Sequence, residues 1–494
     1  MKLWTNGFFH SMEDETTVYL QMATQDGVII GFDEDIKDLA FDEIIDMNQG
    51  HVYPGFVDAH LHLLGYGQKR TRPNFYHLKK KNQVIEELKK IFHEEPLFVE
   101  GYFESGVNKD DLNAISVTQP ILLRHNDYHS LTVNNVVLAN AKIKSSTGVL
   151  TEDEAQKAID SFPKYTKEKL QELLIESIQS LHQYGITGGH SDDLYYFNGF
   201  EETVFVFEKT LDKLPFRAHL LMHHLTLDDF LKSKRPFLDQ NKYLQLGAVK
   251  MFYDGTLSSK TALMKKPYKN TNTFGLKVQS DQQFEKMIKK ARKHHLPVAV
   301  HVIGDQATED VCNLLKKHPV DEGLHDRLIH TPWLAKSTIE LMKELPISLD
   351  IQPQFLSSDL PWALEFLSET PELCFPWKTL KENGINQAGS SDAPVEIPNP
   401  LLGIYAAIER KSDQDAKVYF ESEKLNRFDA ISLYTIQANF STQHHNRGYL
   451  KNGYIADLSV FTYDLLTTDI ENYKKDIVEM TVVDEQIVYR KQFV

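Results

Sequence analysis

Apolar runs of strand length recur along the middle of the chain and alternate with segments of helical periodicity. Eight such runs lie at 55–60, 185–190, 216–223, 247–252, 298–303, 327–330, 347–351 and 386–390. A capping box, Ser280-Asp-Gln-Gln, begins one of the intervening segments, and Phe284 and Ile288 follow it at helical spacing. Strands that alternate with helices in this way predict an α/β fold, a (β/α)8 TIM barrel, with the active site at the carboxyl ends of the strands.

The two ends of the chain have a different pattern, in which short apolar strands are separated by Gly, Asp and Asn. Neither end has enough strands for an independent core, so residues 1–52 and 445–494 are predicted to pair into one small composite β-sandwich domain. The barrel is predicted over residues 53–444. Its first two strands are too far apart for a simple crossover, which predicts an inserted subdomain at about 66–180 that acts as a lid or substrate-binding element.

Composition and charge narrow the set of partners. The formal net charge of −16 disfavours nucleic acid and anionic membranes, because both repel an acidic surface. The first residues lack the apolar core of a signal peptide, and no run is long enough to span a bilayer. Cys312 and Cys374 cannot form a disulfide framework, and neither belongs to a Cys-x-x-Cys pair. We therefore predict a cytoplasmic protein that acts on a small-molecule substrate, with a homodimer as the default assembly.

The first barrel strand ends in a His-x-His pair, within Pro54-Gly-Phe-Val-Asp-Ala-His-Leu-His. Alternate side chains of a strand point to the same face, so His60 and His62 converge while Leu61 points away. Neutral imidazole is a good ligand for zinc and similar ions. The pair alone is a weak signal, and its weight comes from partners at the ends of later strands.

Four further polar residues fall in or just after later strands: Lys250, His301, His330 and Asp392. Taken singly, each has an ordinary interpretation. Strand histidines are often hydrogen-bonded core residues, an Asp before Ala-Pro makes turns, and a lysine can snorkel to water. Taken together, their burial without mutual compensation would cost on the order of several kcal/mol per charge. A divalent metal centre removes this cost, and imidazole and carboxylate ligands suit zinc, manganese or iron.

Lys250 differs from the other candidates, because a lysine cation would repel a metal ion. Its amine can instead add CO2 and become a carbamate, an anionic oxygen donor that is able to bridge two metals. Carbamate formation needs the neutral amine, and an apolar site favours that form by lowering a lysine pKa. Whether the chain holds one metal or two therefore depends on this reaction.

The six residues together resemble the amidohydrolase superfamily, in which His-x-His lies on the first barrel strand, Lys on the fourth, His on the fifth and sixth, and Asp on the eighth. Three segments resemble more narrowly its YtcJ-like branch, which includes the N-substituted formamide deformylases. They begin at Pro54, at Lys250 in Lys-Met-Phe-Tyr-Asp-Gly-Thr, and at Gly389 in Gly-Ser-Ser-Asp-Ala-Pro-Val. The resemblance covers nearly the whole chain and implies a divalent metal, expected to be Zn2+, with the ligands His60, His62, Lys250, His301, His330 and Asp392.

The leading functional hypothesis is hydrolysis of a carbon–nitrogen bond, an amide such as an N-substituted formamide. A bound metal lowers the pKa of water towards ~7, which allows it to attack at neutral pH. Asp392 would accept a proton from this water and pass it to the leaving nitrogen, as general base and then general acid. His330, or a donor from the insertion, would stabilise the oxyanion.

Substrate-binding residues are harder to assign. His129 in the insertion is one candidate, and a loop histidine that bonds locally is the alternative. Asp254, shortly after the fourth strand, would orient a ligand or simply make the turn. His190 and Asp192 at the end of the second strand are expected at the pocket, with their role open.

Two other functions stay open. One is deamination of a heterocycle by an aminohydrolase with a single metal, which the superfamily's deaminases generally achieve without a bridging lysine; Lys250 favours the two-metal hydrolase. The other is a non-catalytic binding protein, which is disfavoured because such relatives typically lose ligands and all six positions are filled here. One metal per chain with an unmodified lysine would favour the deaminase, whereas purified protein without transition metal would favour the binding protein.

Overall fold

Eight parallel strands form the central sheet of the computed structural model, which describes residues 1–127, 130–443 and 445–492. They are β1 (Phe56–Leu61), β2 (Ile186–Ser191), β3 (Arg217–His223), β4 (Leu244–Phe252), β5 (Val298–Val302), β6 (Asp326–His330), β7 (Ile347–Ile351) and β8 (Asn386–Gly389). Each strand pairs in parallel with the next one along the chain, from β1 to β8. The predicted (β/α)8 barrel is confirmed, and only β4 begins more than one residue away from its predicted bound.

The barrel is nearly closed, and the segments that follow β1 and β8 join its two edges. The backbone N–H of Asp392 donates to the carbonyl oxygen of His60 at 2.8 Å, and that of His62 donates to the carbonyl oxygen of Ala393 at 2.7 Å. These bonds hold His60, His62 and Asp392 side by side at the carboxyl edge of the barrel, where this fold places its active sites.

Helices fill the connections between the strands and follow the last strand. They span Leu63–Thr71, Lys167–Gln183, Phe200–Leu211, Leu227–Ser233, Asp281–Lys293, Asp305–Lys317, Lys336–Met342, Pro353–Asp359, Trp362–Glu365, Trp377–Glu382, Pro400–Glu409, Arg427–Ser432 and Ile436–Phe440. Two-residue strands lie at Leu238–Asp239, Trp333–Leu334 and Leu373–Cys374. The predicted capping box is present, since the Ser280 side chain accepts from the Gln283 N–H and the Gln283 side chain accepts from the Ser280 N–H. Phe284 and Ile288 are buried on the same face of that helix.

Strands from both ends of the chain pair with one another, as predicted. His51–Pro54 runs antiparallel to Leu458–Phe461, with Val52 opposite Val460. The six-stranded sheet that contains them has the order Gln486–Arg490, Val478–Val483, Leu458–Phe461, His51–Pro54, Phe8–His10, Val18–Tyr19. A four-stranded sheet has the order Val28–Phe32, Met22–Gln25, Lys2–Thr5, Glu43–Asp46. Trp4 from the smaller sheet and Phe9 and Val482 from the larger one belong to one buried core, which neither end could form alone.

Residues 68–169 form a compact unit, separate from the unit of residues 1–67 and 170–494. Its four-stranded sheet has the order Val149–Thr151, Ser130–Val133, Ile121–His125, Leu97–Tyr102, and its helices are Lys81–Ile91, Lys109–Asn113, Asn135–Ala141 and Glu152–Asp160. Val99 and Leu123 belong to one apolar core, whereas Phe98 and Leu122 belong to another, so both faces of the sheet are covered. The unit falls within the predicted insertion, and its function as a lid stays a prediction.

Cys312 and Cys374 are buried free thiols. Burial raises the pKa of each thiol to about 12, so neither is a reactive thiolate at neutral pH. Throughout the part of the chain that the structure describes, no helix combines the length and the apolarity that a membrane span needs.

Candidate active site

The six predicted ligand side chains lie at one end of the barrel. His60 is on β1, His62 follows β1 directly, Lys250 is on β4, His301 is on β5, His330 ends β6 and Asp392 is three residues beyond β8. The strands of a parallel barrel all end at the same edge, so residues that are far apart in sequence meet there.

His60, His62 and Asp392 form a group with the geometry of metal ligands. The Nε2 atoms of His60 and His62 lie 3.7 and 3.6 Å from Asp392 Oδ1, and one donor atom from each residue lies within 4.8 Å of the others. His62 Nδ1 lies 3.0 Å from the carbonyl oxygen of Asp192, which only accepts hydrogen bonds, so a neutral ring carries its hydrogen there. His62 Nε2 then faces Asp392 Oδ1 at 3.6 Å, and either a proton or a metal cation between the two atoms removes their repulsion.

The charges around this group also favour a cation. Burial alone would lower the pKa of His62, but its hydrogen bond to Asp392 and the nearby carboxylates raise that pKa to about 9, so at neutral pH a proton takes the position on Nε2 that a metal ion would occupy. Burial alone would raise the pKa of Asp392, but the hydrogen bond from His62 and the charges of His330 and Lys250 hold it below its ordinary value. An ionised carboxylate between imidazoles is a donor set that binds Zn2+ and similar ions.

His301 and His330 lie in the same site, with His301 Nδ1 3.0 Å from His330 Nε2. The other nitrogen of His301, Nε2, lies 3.1 Å from the carbonyl oxygen of Gly255 and donates to it. The other nitrogen of His330, Nδ1, lies 2.7 Å from Gln352 Oε1. The Gln352 amide nitrogen donates to a backbone carbonyl and a serine hydroxyl, which identifies Oε1 as the atom that faces His330.

These contacts leave two lone pairs facing each other. Burial lowers the pKa of both His301 and His330, so both rings are neutral. Each neutral ring carries one hydrogen, and in both rings the outward nitrogen already uses it. The facing nitrogens, 3.0 Å apart, therefore need a shared cation, and the residues present fit a divalent metal.

Lys250 is buried beside His60 and a carboxylate. Its Nζ atom lies 3.2 Å from His60 Nε2 and 3.4 Å from Asp192 Oδ2. Both side chains of the Lys250–Asp192 pair are inaccessible, with 2% and 0% of their surface exposed. Asp192, whose role the sequence left open, thus compensates the lysine charge, and the carbamate on Lys250 stays a prediction.

Asp58 is a site residue that the sequence analysis missed. Its buried carboxylate accepts the N–H of His60 at 3.1 Å and the hydroxyl of Ser391 at 2.5 Å. Burial raises the pKa of Asp58 to about 7, although these hydrogen bonds act in the opposite direction. His60 belongs to β1, and Ser391 directly precedes the predicted ligand Asp392. The Asp58 carboxylate therefore links the two chain segments that carry these ligands. Its sequence signal is its place two residues before His60, on the same face of β1.

The backbone is strained at two of the ligands. His330, Thr331 and Asp392 have φ angles of 84°, 46° and 53°, in the left-handed region that non-glycine residues seldom adopt. Each such residue costs on the order of 1–3 kcal/mol, and such residues cluster at functional sites. The strained backbone therefore lies at two of the predicted ligands, His330 at the end of β6 and Asp392 after β8.

Aromatic side chains lie beside the ligands at the same edge of the barrel. Tyr196 is edge-on to His62 with ring centroids 5.9 Å apart. Tyr195 stacks on His223 at 4.5 Å, and His223 lies 5.7 Å from Phe252. Tyr195 and Tyr196 expose 45% and 47% of their surface. We call Tyr195, Tyr196, His223 and Phe252 the aromatic rim; it offers flat apolar faces next to the ligands and was not predicted from the sequence.

The two predicted substrate-binding residues have different outcomes. His129 lies outside the described residues. Asp254 is buried, and its carboxylate accepts three backbone N–H groups at 2.8 to 3.0 Å, those of Leu263, Ile303 and Gly304. These contacts tie the segment after β4 to the segment after β5 and hold the adjacent Gly255, whose carbonyl binds His301. They support a role for Asp254 within the loops, and its contact with a substrate stays a prediction.

Comparisons with known proteins agree with this fold and identify the family. Residues 43–489 match the model of the amidohydrolase family. YtcJ of Bacillus subtilis (strain 168) is 36% identical over an alignment of 528 residues that covers 99% of each chain. An uncharacterised metal-dependent hydrolase from Pyrococcus horikoshii OT3 has a TM-score of 0.83 and 23% identity, over 95% of this chain and 99% of that one. A second such hydrolase, from Pyrococcus furiosus, has a TM-score of 0.84 and 22% identity, over 94% and 100%. The family match and the full-length similarity to YtcJ confirm the predicted resemblance: the chain belongs to the amidohydrolase family.

Proposed function

We propose that this chain is a metal-dependent hydrolase that cleaves the carbon–nitrogen bond of an amide, such as an N-substituted formamide. The observation that carries the proposal is the convergence of four imidazoles and a carboxylate on one point at the barrel edge, with ring nitrogens facing the carboxylate or each other. The residues that would hold the divalent ions, Zn2+ in this proposal, are His60, His62, His301, His330 and Asp392, together with Lys250 as its carbamate. When bound, the ion supplies Lewis acidity and lowers the pKa of water.

Asp392 is the proton carrier in this reaction. Its pKa is held below its ordinary value despite burial, so an ionised carboxylate is ready to accept a proton from the attacking water. The water oxygen bonds to the carbonyl carbon, the carbon–nitrogen bond breaks, and Asp392 passes the proton to the leaving nitrogen. The products are a carboxylic acid and an amine.

His330 serves this reaction as a ligand. Its Nδ1 bonds to Gln352 Oε1 at 2.7 Å, so the neutral ring has no hydrogen on Nε2, the nitrogen that faces the site. A nitrogen without hydrogen cannot donate to an oxyanion. The tautomer therefore favours the predicted ligand role of His330 over its predicted role as an oxyanion donor.

The aromatic rim favours substrates with a flat apolar group next to the scissile bond. Tyr195 and Tyr196 are nearly half exposed, and Tyr196 is in ring contact with His62. A group bound against these rings would bury apolar surface and gain ring–ring contacts worth about 0.5–1.5 kcal/mol each. The amine or acyl part of the substrate is thus proposed to be aromatic.

Metal removal tests the proposed function directly. We expect chelation to lower hydrolysis by ~10^2-fold or more and Zn2+ to restore it, because the bound ion supplies the Lewis acidity and the lowered water pKa that this reaction uses. The assay is a screen of N-formyl and N-acyl amines, in which each aromatic compound is paired with an aliphatic one. We expect the aromatic member of each pair to react faster. Full turnover by protein that holds far less than one metal per chain would contradict the proposal.

A one-metal aminohydrolase that deaminates a heterocycle is the second candidate, and the Lys250–Asp192 contact favours it. A lysine ammonium whose charge is already compensated at 3.4 Å needs no carbamate, and it offers no bridge to a second metal. A flat heterocycle would also stack on the aromatic rim.

The two candidates differ in the state of Lys250. For the amide hydrolase we expect two metal peaks among the barrel ligands by anomalous diffraction and a carbamate signal in 13C NMR after incubation with labelled bicarbonate. The carbamate forms only on the neutral amine. Lys250→Met, which has a similar length, is the matched control and should lose the signal. One metal, no carbamate and release of ammonia from a heterocycle would instead support the deaminase.

A further inference from the structure

We infer that the terminal β-sandwich holds a second divalent-cation site, made by His10, His51 and Asp464. His10 ends the strand Phe8–His10, His51 begins the strand His51–Pro54, and Asp464 is three residues beyond Leu458–Phe461. These three strands are neighbours in the six-stranded sheet, so the ligands come from both ends of the chain. The site is separate from the barrel ligands and does not depend on the proposed function.

The distances suit a shared transition-metal ion. His10 Nε2 lies 3.1 Å from His51 Nδ1 and 3.9 Å from Asp464 Oδ1, and one donor atom from each of the three residues lies within 4.8 Å of the others. In a tetrahedral zinc site with Zn–N of about 2.05 Å, two nitrogens lie about 3.3 Å apart. The two imidazoles are thus already close to ligand separation, and the carboxylate oxygen, 3.9 Å from His10 Nε2, needs to approach that atom by about 0.6 Å.

Neighbouring side chains hold the ligands in place. The Tyr53 ring stacks on His10, with centroids 4.3 Å apart and planes 4° apart. The Tyr53 hydroxyl donates to Asp464 Oδ1 at 2.7 Å, and Thr467 Oγ1 donates to Asp464 Oδ2 at 2.8 Å. Supporting contacts of this kind orient ligands in metal sites.

The same group is incompletely paired without a cation. His10 is 5% exposed, and its Nε2 faces His51 Nδ1 at 3.1 Å, so between two neutral rings only one of these facing nitrogens can carry a hydrogen. At 3.9 Å, His10 Nε2 is too far from Asp464 for a hydrogen bond. Within residues 1–127, 130–443 and 445–492, no lysine or arginine forms an ion pair with Asp464. A divalent ion would contact both imidazoles and neutralise the carboxylate.

The donor set selects the class of ion and suggests its role. Two imidazoles and one carboxylate favour Zn2+ and similar transition metals over Ca2+ and Mg2+, which prefer oxygen ligands. Three protein ligands leave a position for water, and His51 and Asp464 are partly exposed, so the ion can enter from solvent. A bound ion would cross-link the first strands of the chain to its last segment and stabilise the sandwich.

Zinc content tests the inference. Full-length wild type, His51→Gln and Asp464→Asn are saturated with Zn2+, dialysed against the same zinc buffer and analysed for zinc. We expect each variant to hold one zinc per chain fewer than wild type, with unchanged hydrolysis. His295→Gln is the matched control, because His295 Nδ1 has an aspartate partner at 2.7 Å, but this pair belongs to no group of three potential ligands among the described residues. Equal zinc content in all four proteins would overturn the inference.

Anomalous diffraction at the zinc edge places the ion. We expect a peak between His10, His51 and Asp464 in wild type, and the same peak in His60→Ala/His62→Ala, which should lose the barrel metal. Because the double variant removes only barrel ligands, the presence of an ion at the sandwich site is measured independently of the barrel site and of the proposed function. A peak at the barrel alone would overturn the inference, whatever the substrate of the barrel.

Discussion

Asp392→Asn is expected to lower kcat by ~10^2-fold or more while metal content stays near that of wild type. Asparagine keeps the size of the side chain and one oxygen that can face the ion. The four imidazole ligands are unchanged by the substitution: His60, His62, His301 and His330. The amide cannot accept a proton from water, so the general-base step is lost. Steady-state kinetics and elemental analysis of the same preparations measure both effects.

Asparagine is the replacement that the backbone tolerates best. Asp392 has a φ of 53°, and among non-glycine residues Asn and Asp adopt this left-handed conformation most readily. The backbone bond from Asp392 N–H to the carbonyl of His60, at 2.8 Å, is also independent of the side chain. The substitution thus removes the charge and leaves the closure of the barrel in place.

Asp305→Asn is the matched control. Asp305 is also a buried aspartate, but its carboxylate accepts the backbone N–H of Lys265 at 2.8 Å. It is not one of the proposed metal ligands. We expect this variant to keep kcat close to wild type, since an asparagine oxygen can accept the same bond. Wild-type turnover by Asp392→Asn with metal bound would contradict the proton-carrier role.

The barrel was predictable because most of its strands are buried on both faces and carry apolar runs, such as those of β4, β5 and β7. The same rule located the ligands, since a polar residue at the end of such a run stands out. His60, His301 and His330 were found in this way, and the common edge of a parallel barrel then implied that they meet. β4 began earlier than predicted because Gln245 interrupts its apolar pattern while remaining buried.

The supporting contacts were not predictable, because each joins residues that are distant in sequence. Gln352 fixes the tautomer of His330 from the segment after β7, and the carbonyl of Gly255 fixes that of His301. A carbonyl carries no side-chain signal at all. Asp192 illustrates the same point, since its placement after β2 was visible but its contact with Lys250 depends on the register of β2, β3 and β4. Sequence position can thus locate ligands, whereas their protonation depends on the fold.

Asp350→Asn is expected to lower the free energy of unfolding of the barrel by about 3–5 kcal/mol, because it leaves a buried guanidinium without its counter-charge. Arg327 and Asp350 are 1% and 0% exposed. Arg327 Nε and one terminal nitrogen donate to Asp350 Oδ2 at 3.0 and 2.7 Å. The same terminal nitrogen donates to the carbonyl oxygen of Ala59 at 2.7 Å, so the charge cannot move to water without breaking this contact. Urea denaturation followed by tryptophan fluorescence measures the loss.

Two further variants separate the buried charge from the loss of contacts. Arg327→Met combined with Asp350→Leu removes both charges and fills the space with apolar groups, so it should cost less than Asp350→Asn alone. Glu344→Gln breaks the exposed pair with Lys316, whose side chains are 59% and 52% exposed, and should cost no more than about 1 kcal/mol. An unfolding free energy for Asp350→Asn within that margin of wild type would mean that water or another group reaches Arg327. Water would then enter the barrel interior near Arg327, whereas the contacts of Arg327 with Ala59 on β1 and Asp350 on β7 indicate a dry interior.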